Sequence, residues 1–107
     1  NELERNNIIR DAQLLEKAGV FSIVLECVET SLAKLVTKSL NIITIGIGSS
    51  KYCDGQILVF DDLIGLNPMN YRFVKKYANI RNNISKAVLN YAREVKSKKF
   101  PLKKHSY

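Results

Sequence analysis

Scarcity marks this 107-residue sequence: it has no tryptophan, one methionine, one histidine, two prolines and two cysteines. Two cysteines, Cys27 and Cys53, cannot make the disulfide framework of a small exported domain. In a chain without an export signal they read as free, partly buried thiols. The single histidine, His105, is distant from both, so no Cys/His spacing resembles a zinc site, and it reads as an exposed side chain in a basic tail. Long hydrophobic runs are missing too. The longest nearly apolar stretches, residues 20–25 and 42–47, fall far short of the roughly 18–20 residues that a membrane-crossing helix needs, which excludes a membrane partner. The first residues, Asn-Glu-Leu-Glu-Arg, lack the basic flank and apolar run of a secretory signal, and a cytoplasmic location is expected. What remains is 46% apolar and 25% charged, the composition of a folded domain, at a length that suits one small unit. The only methionine is Met69, so position 1 is not an initiator residue and a trimmed, processed or partial chain is expected.

Charge is unevenly placed. Residues 1–66 hold six bases against nine acids, whereas residues 67–107 hold eleven bases against one acid, Glu94. Any surface for phosphates, nucleic acid or an acidic partner would have to lie in the second stretch. The plainer reading competes with this: Lys75, Lys76, Arg81, Lys86, Arg93 and Lys96 alternate with apolar residues at helical spacing, as on a solvated helix face.

Periodicity supplies the elements. Leu3, Ile8, Ile9, Ala12, Leu15 and Ala18 predict an amphipathic helix over 3–18, with Gly19 where a helix C-terminal glycine belongs. Residues 20–25 are short, β-branched and almost continuously apolar, as a strand buried on both faces would be. Thr30 or Ser31 then caps a helix running to about 39. Residues 42–45 read as a second buried strand, followed by a glycine-bearing turn, and 56–60 as a third strand. A turn at Asn67-Pro68, a short helix over 71–77, a longer one over 80–96 and an extended tail through Pro101 complete the chain. Strands alternating with helices imply a parallel sheet of β-α-β units. Three parallel strands do not close a fold, so the chain reads as part of an α/β structure, its strand-helix units over 1–66 and basic helices and tail over 67–107.

Glu26 is the residue most suited to chemistry. It ends the first buried strand, and the C-terminal mouth of a parallel sheet is where α/β folds place catalytic groups. Partial burial there would tune a carboxyl toward use as a general base. On pattern alone Glu26 equally begins a solvated loop or caps the following helix. Gly46-Ile47-Gly48 lies at the end of the second strand, and with Lys51 in the place of a third glycine it is a weak nucleotide signal. Gly46 and Gly48 are nevertheless candidates to line a pocket, since a turn without side chains lets a ligand approach the backbone. Asp54, Asp61 and Asp62 match no compact oxygen-ligand loop and read as loop and cap residues.

Linked blocks carry a more specific signal. Ile23-Val24-Leu25-Glu26-Cys27-Val28, Thr44-Ile45-Gly46-Ile47-Gly48 and Cys53-Asp54-Gly55-Gln56-Ile57-Leu58-Val59 resemble, in order and spacing, successive blocks of ketopantoate hydroxymethyltransferase. So do Asp62-Leu63-Ile64-Gly65-Leu66, Phe73-Val74-Lys75-Lys76-Tyr77-Ala78 and His105-Ser106-Tyr107. The resemblance implies the C-terminal part, about strands six to eight, of a (β/α)₈ TIM barrel of the phosphoenolpyruvate-utilising type. It also implies transfer of a hydroxymethyl group from 5,10-methylenetetrahydrofolate to the keto acid 3-methyl-2-oxobutanoate, within a homo-oligomer, a decamer in the family. The keto acid chelates Mg²⁺, which acidifies its C3 proton, and Glu26 matches the family's proposed base for that proton. The family's Mg²⁺ ligands lie on earlier strands, so no metal residue is assigned here, and the piece alone is expected to be inactive. Three positions depart from the family pattern: Glu29 replaces a proline, Ser49-Ser50 an alanine-glycine pair, and Asp61 a frequent histidine. Two other classes stay open, a basic interaction module, for which no nucleic-acid motif speaks, and a non-catalytic remnant. An open three-stranded sheet is also expected to aggregate or stay molten in isolation.

Overall fold

The computed structural model describes residues 2–107 and is an α/β arrangement with a parallel sheet. Its elements are α1 (Glu2–Lys17), β1 (Ser22–Glu26), α2 (Thr30–Ser39), β2 (Ile43–Ile47), β3 (Gly55–Gln56), α3 (Phe60–Leu63) and α4 (Ile80–Lys96). They fall into two compact units, one formed by residues 1–59 with 71–74, the other by 60–70 with 75–107. Among the described residues no helix is long and apolar enough to cross a membrane.

In the first unit the strands run in the order β1-β2-β3, all parallel, with Val24 opposite Ile45, Glu26 opposite Ile47 and Gln56 opposite Gly46. Side chains alternate across a strand, so Ile23 and Leu25 share one face and Val24 and Glu26 the other. The first face is covered. Leu25 packs with Ala12 of α1 and Leu32, Ala33 and Val36 of α2, with Ile9, Ile23 and Leu40 around them. Val36 and Thr44 are fully buried. Helix α1 ends as its sequence requires: the Gly19 N–H donates to Glu16 O at 3.0 Å and the Val20 N–H to Leu15 O at 3.4 Å, closing the last turn on itself.

The expected burial of β1 on both faces is not found. Val24 is 54% exposed and Ile43, on the same face of β2, 55%, because both covering helices lie against the opposite face. The third strand is also shorter than 56–60. Gln56 pairs with Gly46 and the Ile57 N–H still reaches Gly46 O at 3.0 Å, but β2 ends at Ile47, and from Phe60 the chain turns into α3. One step earlier in the register, the Asp54 carboxylate accepts from the Thr44 N–H at 2.8 Å and from its hydroxyl at 3.1 Å. Asp54 thus satisfies a buried strand amide that β3 is too short to serve.

Helix α2 begins one residue earlier than a Thr30 or Ser31 cap implies. Glu29 is the cap: its carboxylate accepts from the Ser31 N–H at 2.9 Å and the Leu32 N–H at 3.2 Å. A longer carboxylate does here what Ser or Thr does at most helix starts, and negative charge at a helix N-terminus is favourable.

In the second unit α3 closes on Gly65 (φ +70°), with the Gly65 N–H on Asp62 O at 3.2 Å and the Leu66 N–H on Asp61 O at 2.9 Å. The buried Asp62 accepts from the Asn67 side-chain amide at 2.6 Å, so Asp61 and Asp62 act as turn and cap residues. Helix α4 matches its expected limits, capped by Asn79, and its start is tied to α3 by the Ile80 and Arg81 amides on Ile64 O and Gly65 O. No helix forms over 71–77. The Tyr77 N–H goes to Leu63 O at 2.8 Å and the Lys76 ammonium to Asn67 O and Asn70 Oδ1, partners that an intervening helix would forfeit. The tail is not fully extended either: Lys103–His105 makes a 3₁₀ turn. There the Leu102 N–H donates to His105 Nδ1 at 3.2 Å, and the His105 ring lies 5.2 Å from that of Phe100, so His105 has the fixed neighbours that its sequence context did not suggest.

Candidate functional site

The C-terminal ends of the parallel strands belong to the first unit and gather the residues of interest. Glu26 is the last residue of β1, on the face opposite the one that α1 and α2 cover. The partial burial expected there is absent: Glu26 is exposed, for the same reason that Val24 is. Among the described residues its carboxylate has no hydrogen bond or ion pair, which leaves both oxygens available to a ligand or a proton.

The three residues after Glu26 are each tethered. Cys27 adopts φ +53°, a left-handed conformation that is uncommon without glycine, and its N–H donates to Ile47 O at 2.9 Å. Val28 O accepts from the Ser49 hydroxyl at 3.1 Å. Glu29 is held by its cap bonds and by two further groups, the Ser31 hydroxyl and the Arg5 guanidinium of α1, both at 2.6 Å. These donors, the Ser31 hydroxyl foremost, then the Ser31 amide and Arg5, lower the Glu29 carboxyl to about 2 from 4.5. The turn that carries Glu26 is therefore fixed from β2, from α1 and from its own following helix.

Beside this turn lies an open hollow of about 840 Å³. Its wall includes Cys27 and Glu29 from the turn, Gly48 and Lys51 from the loop after β2, and Arg72 and Phe73. Gly48 lines it at φ +61°, and a Cβ there would sit 2.8 Å from Phe73 Cγ, so the ring's seat depends on glycine. Gly46 is placed differently. It is buried within β2, on the helix-facing side, and a Cβ there would lie 2.9 Å from the Gln56 amide nitrogen and 3.1 Å from Cys53 Sγ. Ser49 and Ser50, where the resemblance implied an alanine-glycine pair, serve the loop itself. Ser49 ties to Val28 O, and the buried Ser50 receives the Tyr52 N–H on its hydroxyl and the Gln56 side chain on its carbonyl. Both cysteines are free, Cys27 exposed and Cys53 buried.

The donors present do not fit a Mg²⁺ site. Among the described residues no three His, Cys, Asp or Glu side chains gather, whereas Mg²⁺ seeks octahedral oxygen ligation. Asp54 is committed to Thr44 and Asp62 to Asn67. Arg72, Lys51 and Phe73, which line the hollow, carry no site role in the sequence pattern. Arg72 and Phe73 lie in a stretch whose pattern reads as helix, and nothing in the spacing of Lys51 places it on one wall with Cys27.

Residues 1–103 match the family model of ketopantoate hydroxymethyltransferase. The chain is 62% identical over 104 residues to the 3-methyl-2-oxobutanoate hydroxymethyltransferase of Pelagibacter ubique, covering 97% of this chain and 40% of that protein. It is 51% identical over 105 residues to the enzyme of that name from Pyrococcus furiosus, covering 98% of this chain and 37% of that protein. For the Clostridium botulinum protein of that name the figures are 47% over 108 residues, 100% and 39%. The chain thus spans about 40% of the length of the curated relatives it matches.

Proposed function

The chain belongs to the ketopantoate hydroxymethyltransferase family, and from that premise we propose that it supplies the general base of a hydroxymethyl transfer. In this reading β1, β2 and β3 are strands six to eight of a (β/α)₈ barrel, and the uncovered face of Val24, Ile43 and Glu26 is the barrel's interior. The keto acid 3-methyl-2-oxobutanoate enters at the C-terminal ends of the strands. The Glu26 carboxylate accepts its C3 proton, and the enolate carbon takes the one-carbon unit of 5,10-methylenetetrahydrofolate while water supplies the hydroxyl oxygen, so that the C–N bonds to the donor break and ketopantoate and tetrahydrofolate are released. Mg²⁺, where it assists, is held by residues outside these 107, and no step assigned to this chain runs through it. Assembly into a homo-oligomer belongs to the same proposal.

One observation carries the reading: a carboxylate with no partner among the described residues ends a parallel strand, on the open face, and the turn behind it is tied at every residue. A base held in place and unengaged is what proton abstraction from carbon needs, since misplacement by an ångström costs rate heavily. The test is Glu26→Gln in the full-length protein that carries this segment. Turnover should fall by roughly 10²- to 10⁴-fold, with keto-acid affinity retained. Turnover within a few-fold of the parent would remove Glu26 from the chemistry.

A further inference from the structure

The cations of the hollow meet no anion among the described residues. Arg72 and Lys51 both line it and both are exposed, yet among the described residues neither forms an ion pair. Lys51 Nζ instead stands 5.5 Å from the centre of the Tyr52 ring, a contact that leaves its charge uncompensated. The one carboxylate on the wall, Glu29, is spent: it accepts from the Ser31 amide and hydroxyl, the Leu32 amide and Arg5. The loop after β2 adds donors of its own, because among the described residues the backbone amides of Gly48, Ser49, Ser50 and Lys51 find no acceptor. Unengaged successive amides beside uncompensated cations are the elements of an anion site. Phe73 supplies a flat apolar wall, with its ring stacked on Tyr71 at 5.9 Å between centroids and 17° between planes.

We propose that this hollow binds the carboxylate-bearing tail of the one-carbon donor, with Arg72 as its principal contact and Lys51 as a second positive charge. The planar guanidinium fork suits a carboxylate, and the Phe73 ring suits the aromatic part of a ligand whose far end carries glutamate. The identity of the donor rests on the transfer reaction proposed above; the anion site itself rests on Arg72, Lys51 and the free amides.

Calorimetric titration of the full-length protein with tri-γ-glutamate, and separately with inorganic phosphate, tests the assignment without turnover. Tri-γ-glutamate should bind more tightly than phosphate and lose affinity as salt rises. Arg72→Ala should weaken it about tenfold, the worth of a charge-assisted hydrogen bond, and Lys51→Ala by a smaller factor, with Arg72→Lys between. The donor's KM should rise in parallel while that of the keto acid stays constant. Both residues are exposed, and an unchanged thermal midpoint would verify that the variants fold. Absence of tri-γ-glutamate binding, affinity indifferent to Arg72→Ala, or phosphate bound as tightly would each overturn the assignment. Failure of the Glu26 reading would appear instead in turnover of Glu26→Gln, which leaves this titration untouched.

Discussion

Helices α1 and α2 in the first unit and α4 in the second have similar amphipathic patterns and different fates. The first two bury Ala12, Leu32, Ala33 and Val36 against the sheet. In α4, Ile84, Val88, Tyr91 and Val95 recur at the same helical spacing, but the helix buries no residue, and Val88 is 59% exposed. Periodicity decides that a segment is helical and which side is apolar; whether that side is covered depends on what lies beside it. The uncovered sheet face of Val24 and Ile43 teaches the same lesson for strands. Stability in this chain is accordingly concentrated in the first unit, and the second is held by backbone bonds between α3 and the start of α4.

The largest effect should come from the joint that holds the second unit. A Cβ on Gly65 would lie 2.2 Å from Ala78 O, at φ +70°. Since the obstacle is backbone, Gly65→Ala should cost about 3 kcal/mol or more in denaturant unfolding of the full-length protein. A cost under about 1 kcal/mol would mean that the α3–α4 joint yields freely. Next comes the core of the first unit: Val36→Ala, at a fully buried position, should cost about 2–3 kcal/mol.

A smaller and pH-dependent effect is expected at Glu29. Its carboxyl is depressed to about 2 in the fold from 4.5. Its contribution is therefore fully present above the unfolded value and lost as pH falls through the window from 4.5 to 2. The difference in thermal midpoint between the parent and Glu29→Gln should be constant above that window and shrink inside it; a difference independent of pH would contradict the clamp. Smallest of all, Val88→Ala should change stability by less than about 0.5 kcal/mol. If it matched Val36→Ala, the stripe on α4 would be covered in the protein, and the contrast between the units would fall.

Much of this was legible along the chain. α1, α2 and α4 follow from the 3.6-residue period, and β1 and β2 from short β-branched runs, because these signals are local. Residues 57–60 misled, since an apolar run reads as strand, while strand length is set by the neighbour, and β2 ends at Ile47. The Glu29 cap was missed because Thr30 and Ser31 are the stronger cap residues and because its partner Arg5 is 24 residues away. The place of Glu26 at a strand end was readable; its exposure was not, because that depends on a layer these residues do not supply. Gly48 on the hollow's wall was readable from the turn, whereas Gly46 differs by the alternation of side chains along β2, which puts it on the helix-facing side.

The role of Glu26 is tested most directly by the fate of the proton it is proposed to take. With the full-length protein in D₂O and 3-methyl-2-oxobutanoate alone, NMR follows exchange of the C3 hydrogen without the one-carbon donor. The parent should catalyse exchange, and Glu26→Gln should bind the keto acid but lose exchange by about 10²-fold or more. Exchange at the parent rate in Glu26→Gln would show that another group abstracts the proton.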